Sequence, residues 1–379
     1  MRITFALPGL SGLAGGLRVV AQHAAYLSSS GHQVTLVVRF PGPALVGQRL
    51  RLKRWLGLAR MVPLPPDRGH FTGLDLPVVQ LDEHRPVDPD HLPDADVIVS
   101  TWWTTAEWAD RLSPEKGAHV HFIQGLEDFE VALRDRVDAV YRQHNHKLVV
   151  AGWLARTMET RYRRQATLVT NGVSTEHFAT PPREMGKPPR VGFLYNPHPC
   201  KNVGLAIAAL ERVRRAIPEV AATSFGTHAR PDRLPAWIDY ARSPDQAQIA
   251  ALYASCDLWL FPSRREGFGL PLLEAMASRT PVLATSAGAA PDLVDGRNGR
   301  IADADPEAFA QAALDFLRVE PARWRAASDA AWSTAQLHSV SAAGAAFESA
   351  LQDVLNGQAG SAARGPLRSA ATSLAKGNR

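Results

Sequence analysis

Short apolar runs of strand length alternate along this chain with stretches whose apolar residues recur at helical spacing. Arg2–Leu7 is the first run, and 17–29 follows with Val20, Ala24 and Leu27 on one stripe. Gly31 closes that helix as a C-cap, and Gln33–Val38 is the next strand. Strand, loop, helix and strand in that order open a doubly wound α/β sheet. Residues 41–95 are proline-rich and irregular, with a short extended piece at 77–81. Strands resume at 97–101, 119–124 and 148–151, with helices predicted over 129–142 and 153–163. A second series begins at 190–195 and continues through the helix Val203–Ala216, a strand at 221–225, a helix at 246–255 and the strand Leu258–Phe261. A helix at 272–278, a strand at 281–285 and helical patterns over Pro306–Leu317 and 321–355 complete it. Four prolines and no periodicity mark 180–189 as a linker. The pattern thus predicts an α/β protein of two Rossmann-like doubly wound domains, 1–180 and 188–333, facing a cleft. A C-terminal helix near 335–355 would pack back on the first domain, and the Gly-, Ala- and Ser-rich tail 357–379 is predicted to lack structure.

Three stretches carry candidate chemistry. The first is the loop 8–16, with Gly9, Gly12, Gly15 and Gly16; it does not fit G-x-G-x-x-G. A tight turn needing positive φ explains such a loop as well as a phosphate cradle does. The second is 190–202, where Lys201 stands just before a helix and is suited to a diphosphate; a solvated surface lysine is the commoner fate of that residue type. The third is 262–288, PSRREGFGLPLLEAMASRTPVLATSAG, where Glu266 and Glu274 flank a glycine- and proline-containing turn before a helix. Free N–H groups and the positive dipole end of that helix favour an anion, and two carboxylates can grip hydroxyls. A phosphate carrying one or two sugars meets both demands.

This third stretch resembles the glutamate–seven residues–glutamate signature of family 4 retaining glycosyltransferases, which have the GT-B fold. Further matches are Gly15-Gly16-Leu17 with Gly31-His32, Thr170-Asn171-Gly172-Val173 with Phe178, Asp257 with Pro262-Ser263, Thr280-Pro281-Val282, and 295–299 (DGRNG), running in order from about residue 3 to 320. The resemblance implies a donor site in which Glu274 binds ribose hydroxyls and Glu266 lies against the donor sugar. The amides of Phe268, Gly269 and Leu270 would meet the sugar and diphosphate. Lys201 and the Gly15 and Gly16 amides would neutralise the leaving diphosphate. Two positions depart from the family: Asn196 stands where an arginine is common, leaving Arg264 or Arg265 to compensate, and Gln124 takes the place of a histidine near the donor sugar. The run 124–129, Q-x-x-E-x-F, is similar to rhamnosyltransferase-type members, which brings deoxythymidine-diphosphate donors into view beside UDP- and GDP-sugars.

Composition narrows this reading without changing it. The net charge of +5 and pI near 9.4 suit anionic ligands, yet no nucleic-acid module and no basic stripe interleaved with aromatics is present. Two cysteines, Cys200 and Cys256, fit a reducing compartment. The first residues lack the signature of a secretory signal, and no apolar run reaches bilayer length; a cytoplasmic protein is expected. The segment 48–61 mixes five basic residues with leucines and Trp55. It would serve peripheral contact with an anionic membrane, as befits a lipid-linked acceptor, or pack as an insertion. On the acceptor side Trp102, Trp103 and His121 are candidates, the tryptophans as stacking surfaces. The two D-x-D pairs, Asp94 with Asp96 and Asp303 with Asp305, resemble metal motifs but occupy loop and cap positions, so no metal and no cofactor is expected.

The expected function is a retaining hexosyltransferase that moves a sugar from a nucleoside-diphosphate donor to a glycan, lipid-linked glycan or small molecule. The alternatives are an NADP-dependent oxidoreductase, using the first glycine loop and Arg39, and a sugar-nucleotide-binding protein without turnover.

Overall fold

The computed structural model describes residues 1–10, 15–40, 67–82 and 86–357. The readings placed on 48–61, on Gly12 and on 358–379 lie outside the described residues. The chain divides into Met1–Thr170 with Ala343–Arg379, and Asn171–Ala342. The division falls at Thr170, ahead of the proline-rich stretch where the sequence placed the linker.

In the first unit the elements run β1 (Arg2–Leu7), α1 (Gly15–Ser29), β2 (Gln33–Val38), β3 (Val78–Gln80), β4 (Val97–Ser100), α2 (Trp103–Ala109), β5 (Ala118–Ile123), α3 (Arg134–Tyr141), β6 (His146–Val149), α4 (Gly152–Tyr162) and β7 (Thr167–Leu168). The strands form one parallel sheet in the order β3-β2-β1-β4-β5-β6-β7. Covered on both faces, its central strands are continuous apolar runs, as in β1 with Ile3, Phe5 and Leu7 fully buried.

The second unit runs β8 (Arg190–Leu194), α5 (Val203–Ala216), β9 (Ala221–Gly226), β10 (Ile238–Arg242), α6 (Gln246–Ala254), β11 (Leu258–Phe261), α7 (Leu270–Ala277), β12 (Val282–Ala284), α8 (Ala290–Leu293), β13 (Gly299–Ile301), α9 (Pro306–Leu317) and α10 (Pro321–Leu337). Its parallel sheet has the order β10-β9-β8-β11-β12-β13. Phe193, Leu210, Leu260 and Phe309 sit at its core. The helix expected over 321–355 is two helices. It breaks at His338, and α11 (Val340–Leu355) follows. Within the first unit Phe347 of α11 stacks on Phe5 and His23, with ring centroids 6.1 and 4.3 Å apart. Gly344 meets the Tyr26 ring so closely that a Cβ there would lie 2.3 Å from it.

Both sheets reverse strand order once, between β1 and β4 and between β8 and β11. Open α/β sheets bind ligands beyond the carboxyl ends of strands at such a reversal. In the second unit the loops leaving that point are 195–202 and 262–269, the two stretches singled out by their sequence.

Candidate active site

β8 and β11 pair directly, Leu260 beside Phe193, so the loops that follow them emerge side by side. A one-turn helix, Pro199–Lys201, ends the first loop, and Asn202 in left-handed conformation turns the chain into α5. The backbone N–H of Arg264 donates to the Cys200 carbonyl at 2.7 Å and ties the two loops together. That tie sets Lys201 Nζ 2.6 Å from Glu266 Oε1, with Ser263 Oγ donating to the same oxygen at 2.7 Å. The Lys201 and Glu266 side chains keep 23% and 11% of their exposure, so an incoming ligand can reach both. Leu194, Lys201, Pro262, Ser263, Glu266 and Pro271 line one recess.

Beyond Glu266 the turn is held by two glycines in left-handed backbone. Gly269 (φ +100°) is the N-cap of α7, and Gly288 (φ +59°) passes behind Phe268. The Ala289 N–H donates to the Phe268 carbonyl at 2.8 Å. In the first turn of α7 Pro271 has no N–H and the Leu272 N–H donates to the Gly269 carbonyl at 3.0 Å, so the Leu270 N–H and the positive dipole end are what this turn offers an anion. Glu274, on the second turn of α7, is 6% exposed and accepts from the Tyr253 hydroxyl at 2.7 Å. Asn196 faces its own loop, its Oδ1 accepting from His198 N at 2.9 Å. Arg265 is exposed in the turn.

In the first unit two predicted residues come together. The Gln124 amide donates to the Gly16 carbonyl at 3.2 Å, and a Cβ on Gly16 would touch that amide at 3.4 Å. Gln124 Oε1 is buried and has no hydrogen-bond partner among the described residues.

Two acceptor-side expectations are corrected. Trp103 is 3% exposed: its N–H donates to Glu127 Oε2 at 2.7 Å, and the Arg136 guanidinium covers its ring at 5.1 Å. His121 is 1% exposed and stacks on Tyr141 at 5.7 Å, because it points to the sheet face opposite Gln124 and Phe122. Burial holds its imidazole well below the usual pKa, and so neutral. Trp102, next in sequence to Trp103, stays half-buried at the surface.

Three of the four D-x-D aspartates have structural partners. Asp94 pairs with Lys116 at 3.0 Å, Asp96 takes the Arg2 side chain and backbone N–H, and Asp305 caps α9 through Glu307 and Ala308 N–H groups. Several signature residues have structural work too. Asp257 accepts from the N–H groups of Gly186 and Arg190 and from Arg183, fixing the segment before β8 against β11. Thr280 donates to the Tyr253 carbonyl, and the Asn298 amide donates to the Leu293 carbonyl and Thr334.

Glu127 was not among the expected site residues. It is 8% exposed, and burial pushes its carboxyl up from 4.5 to about 8, the Trp103 N–H opposing that shift. The folded chain therefore keeps a proton that the unfolded chain releases between those values, and stability declines as pH rises through that window. Glu127→Gln keeps the acceptor for Trp103. It is expected to melt higher than the unsubstituted chain near about pH 9 and together with it near about pH 5 in scanning calorimetry. Equal melting at both values would place an ionised carboxylate there instead.

With this geometry in place, the chain compares with known proteins as follows. Its fold is that of the GT-B glycosyltransferases. A sucrose-phosphate synthase from Thermosynechococcus elongatus superposes with TM-score 0.69 at 17% identity, over 94% of this chain and 100% of that one. Anabaena HepE, solved in complex with UDP and glucose, gives TM-score 0.69 at 16% identity over 93% and 100%. Residues 188–318 match the model of the family described as Glycosyl transferases group 1. A D-inositol 3-phosphate glycosyltransferase from Streptomyces scabiei is 37% identical over 132 residues, 31% of this chain and 30% of the relative. The chain matches only between 14% and 33% of the length of such curated relatives.

Proposed function

We propose that this protein transfers a hexose from a nucleoside-diphosphate sugar to a sugar-containing or lipid-linked acceptor with retention of configuration. The observation that carries the reading is the meeting of Lys201 and Glu266 at the strand-order reversal, in the loop that leads into α7 and its buried Glu274. The HepE complex with UDP and glucose, on the same fold, supports a sugar nucleotide as the donor class.

Each residue then has a physical task. Departure of the diphosphate builds negative charge, and a preorganised ammonium beside the positive dipole end of α7 lowers the barrier where that charge appears. Glu266 holds the ammonium in place until a diphosphate competes for it, and then faces the donor sugar. Glu274 takes the ribose hydroxyls, its carboxylate kept in one rotamer by Tyr253. No side chain is needed as nucleophile: the acceptor attacks on the face the diphosphate leaves, and a diphosphate oxygen takes its proton. Lys201 supplies the charge that a divalent cation would otherwise bring, so we assign no metal. Among the described residues no helix is long and apolar enough to cross a membrane; we place the protein in the cytoplasm, with 48–61 as its contact to a membrane surface.

Incubation with UDP-, GDP- and dTDP-sugars tests the reading through nucleotide release and thermal shift. At least one should be bound and turned over, with EDTA without effect, and Glu274→Ala should weaken its binding at least about tenfold, ~1.4 kcal/mol. A shift by NADPH alone would overturn the proposal. Binding without turnover across a broad acceptor panel would leave a sugar-nucleotide sensor in its place.

A further inference from the structure

Beyond the carboxyl ends of β4 and β5 the first unit presents an aromatic surface. Trp102, two residues past the end of β4, stacks on Phe129 with ring centroids 6.3 Å apart and planes inclined by 23°. Phe129 is 66% exposed and Val131 71%; no other aromatic is among the large apolar side chains that the described residues expose. An apolar ring left in water at this level has to be explained by what covers it.

The backbone beneath the pair is fixed from below. Glu127 takes the Trp103 N–H at 2.7 Å, and its own N–H donates to the Tyr141 hydroxyl at 3.0 Å, which in turn donates to the Gly125 carbonyl. Arg136 locks Trp103 from the other side while paired with Glu107. The two rings therefore stand on a braced strand-end platform, preorganised for a ligand. Glu130, which follows Phe129, is exposed, whereas Asp128 before it is largely buried and faces Arg161 at 3.9 Å. Carboxylates repel an anionic headgroup but accept hydrogen bonds from hydroxyls.

We infer that Trp102 and Phe129 form a subsite for a neutral pyranose ring of the acceptor, which lays its C–H face on the exposed ring of Phe129 and turns hydroxyls toward the exposed Glu130 carboxylate. This assignment deepens the transfer reading above and rests on it for the word acceptor, but the subsite itself is tested without donor.

The probes are methyl α-mannopyranoside, methyl α-glucopyranoside and maltotriose, followed by saturation-transfer NMR and tryptophan fluorescence. At least one is expected to bind, with Phe129→Ala and Trp102→Ala each weakening it at least about fivefold and Trp102→Phe restoring most of the loss. Phe129 is largely exposed, so its removal leaves the core intact, which near-UV circular dichroism checks. The inference is overturned if none of these sugars binds, if binding ignores both alanine substitutions, or if phosphatidylglycerol vesicles, and not the sugars, are held through Phe129. Nucleotide-sugar binding is read in separate samples. Pyranoside binding without any nucleotide response would keep the subsite and remove the transfer reading.

Discussion

Replacing Lys201 by alanine is expected to lower turnover at least about tenfold, ~1.4 kcal/mol of lost transition-state stabilisation. The effect should fall on kcat more than on donor affinity, because the charge that Lys201 meets grows as the diphosphate leaves. In the free protein the ammonium is anchored by Glu266 at 2.6 Å and sits beside the first turn of α7, so no reorganisation is needed when that charge develops. Lys201→Arg is expected to recover part of the rate, since charge is kept but the anchor geometry is altered. Single-turnover kinetics with a saturating donor check this. A variant with unchanged kcat would remove Lys201 from the diphosphate and leave it a surface ion pair, which is worth little on its own.

Gly288→Ala should be a strongly damaging single-methyl substitution in the second unit. The residue sits at φ +59°, and an added Cβ would lie 2.4 Å from the Phe268 carbonyl oxygen and 2.8 Å from Glu266 Cβ. Left-handed backbone alone costs a non-glycine residue about 1–3 kcal/mol, and overpacking adds a similar amount. A loss of about 2–6 kcal/mol is expected in calorimetry, together with loss of donor binding, because the neighbour that must yield carries Glu266 and the N-cap of α7. Unaltered melting and affinity would mean that the turn is not held by Gly288.

Much of the fold was legible because parallel strands buried on both faces become continuous apolar runs, as in β1, β4 and β11. What escaped were pieces that lack that signal. β10, with sequence IDYAR, is an edge strand half open to solvent, and β13 has three residues. The break at His338 interrupts a helical pattern without a glycine or proline to announce it. Among the candidate residues, the strand–turn–helix setting of Glu266 and Glu274 was readable from spacing, while Lys201 stood out only by its place before a helix and by the resemblance. Their partners were not readable. Tyr253 reaches Glu274 from another helix, and the Arg264 tie to Cys200 joins loops more than sixty residues apart in sequence, so both come only with tertiary packing. Trp102 and Trp103 make the same point in miniature. Adjacent tryptophans at a strand–helix junction face opposite ways, and only packing decides which one meets solvent.

The central claim is that the 262–274 turn, with Lys201, holds the nucleoside diphosphate of the donor. Hydrogen–deuterium exchange of the full chain, with and without UDP, GDP or dTDP, tests it most directly. The bound nucleotide should slow exchange in 199–203 and 266–274. Protection that omits both segments, or that arises only with NADPH at the loop after β1, would contradict it.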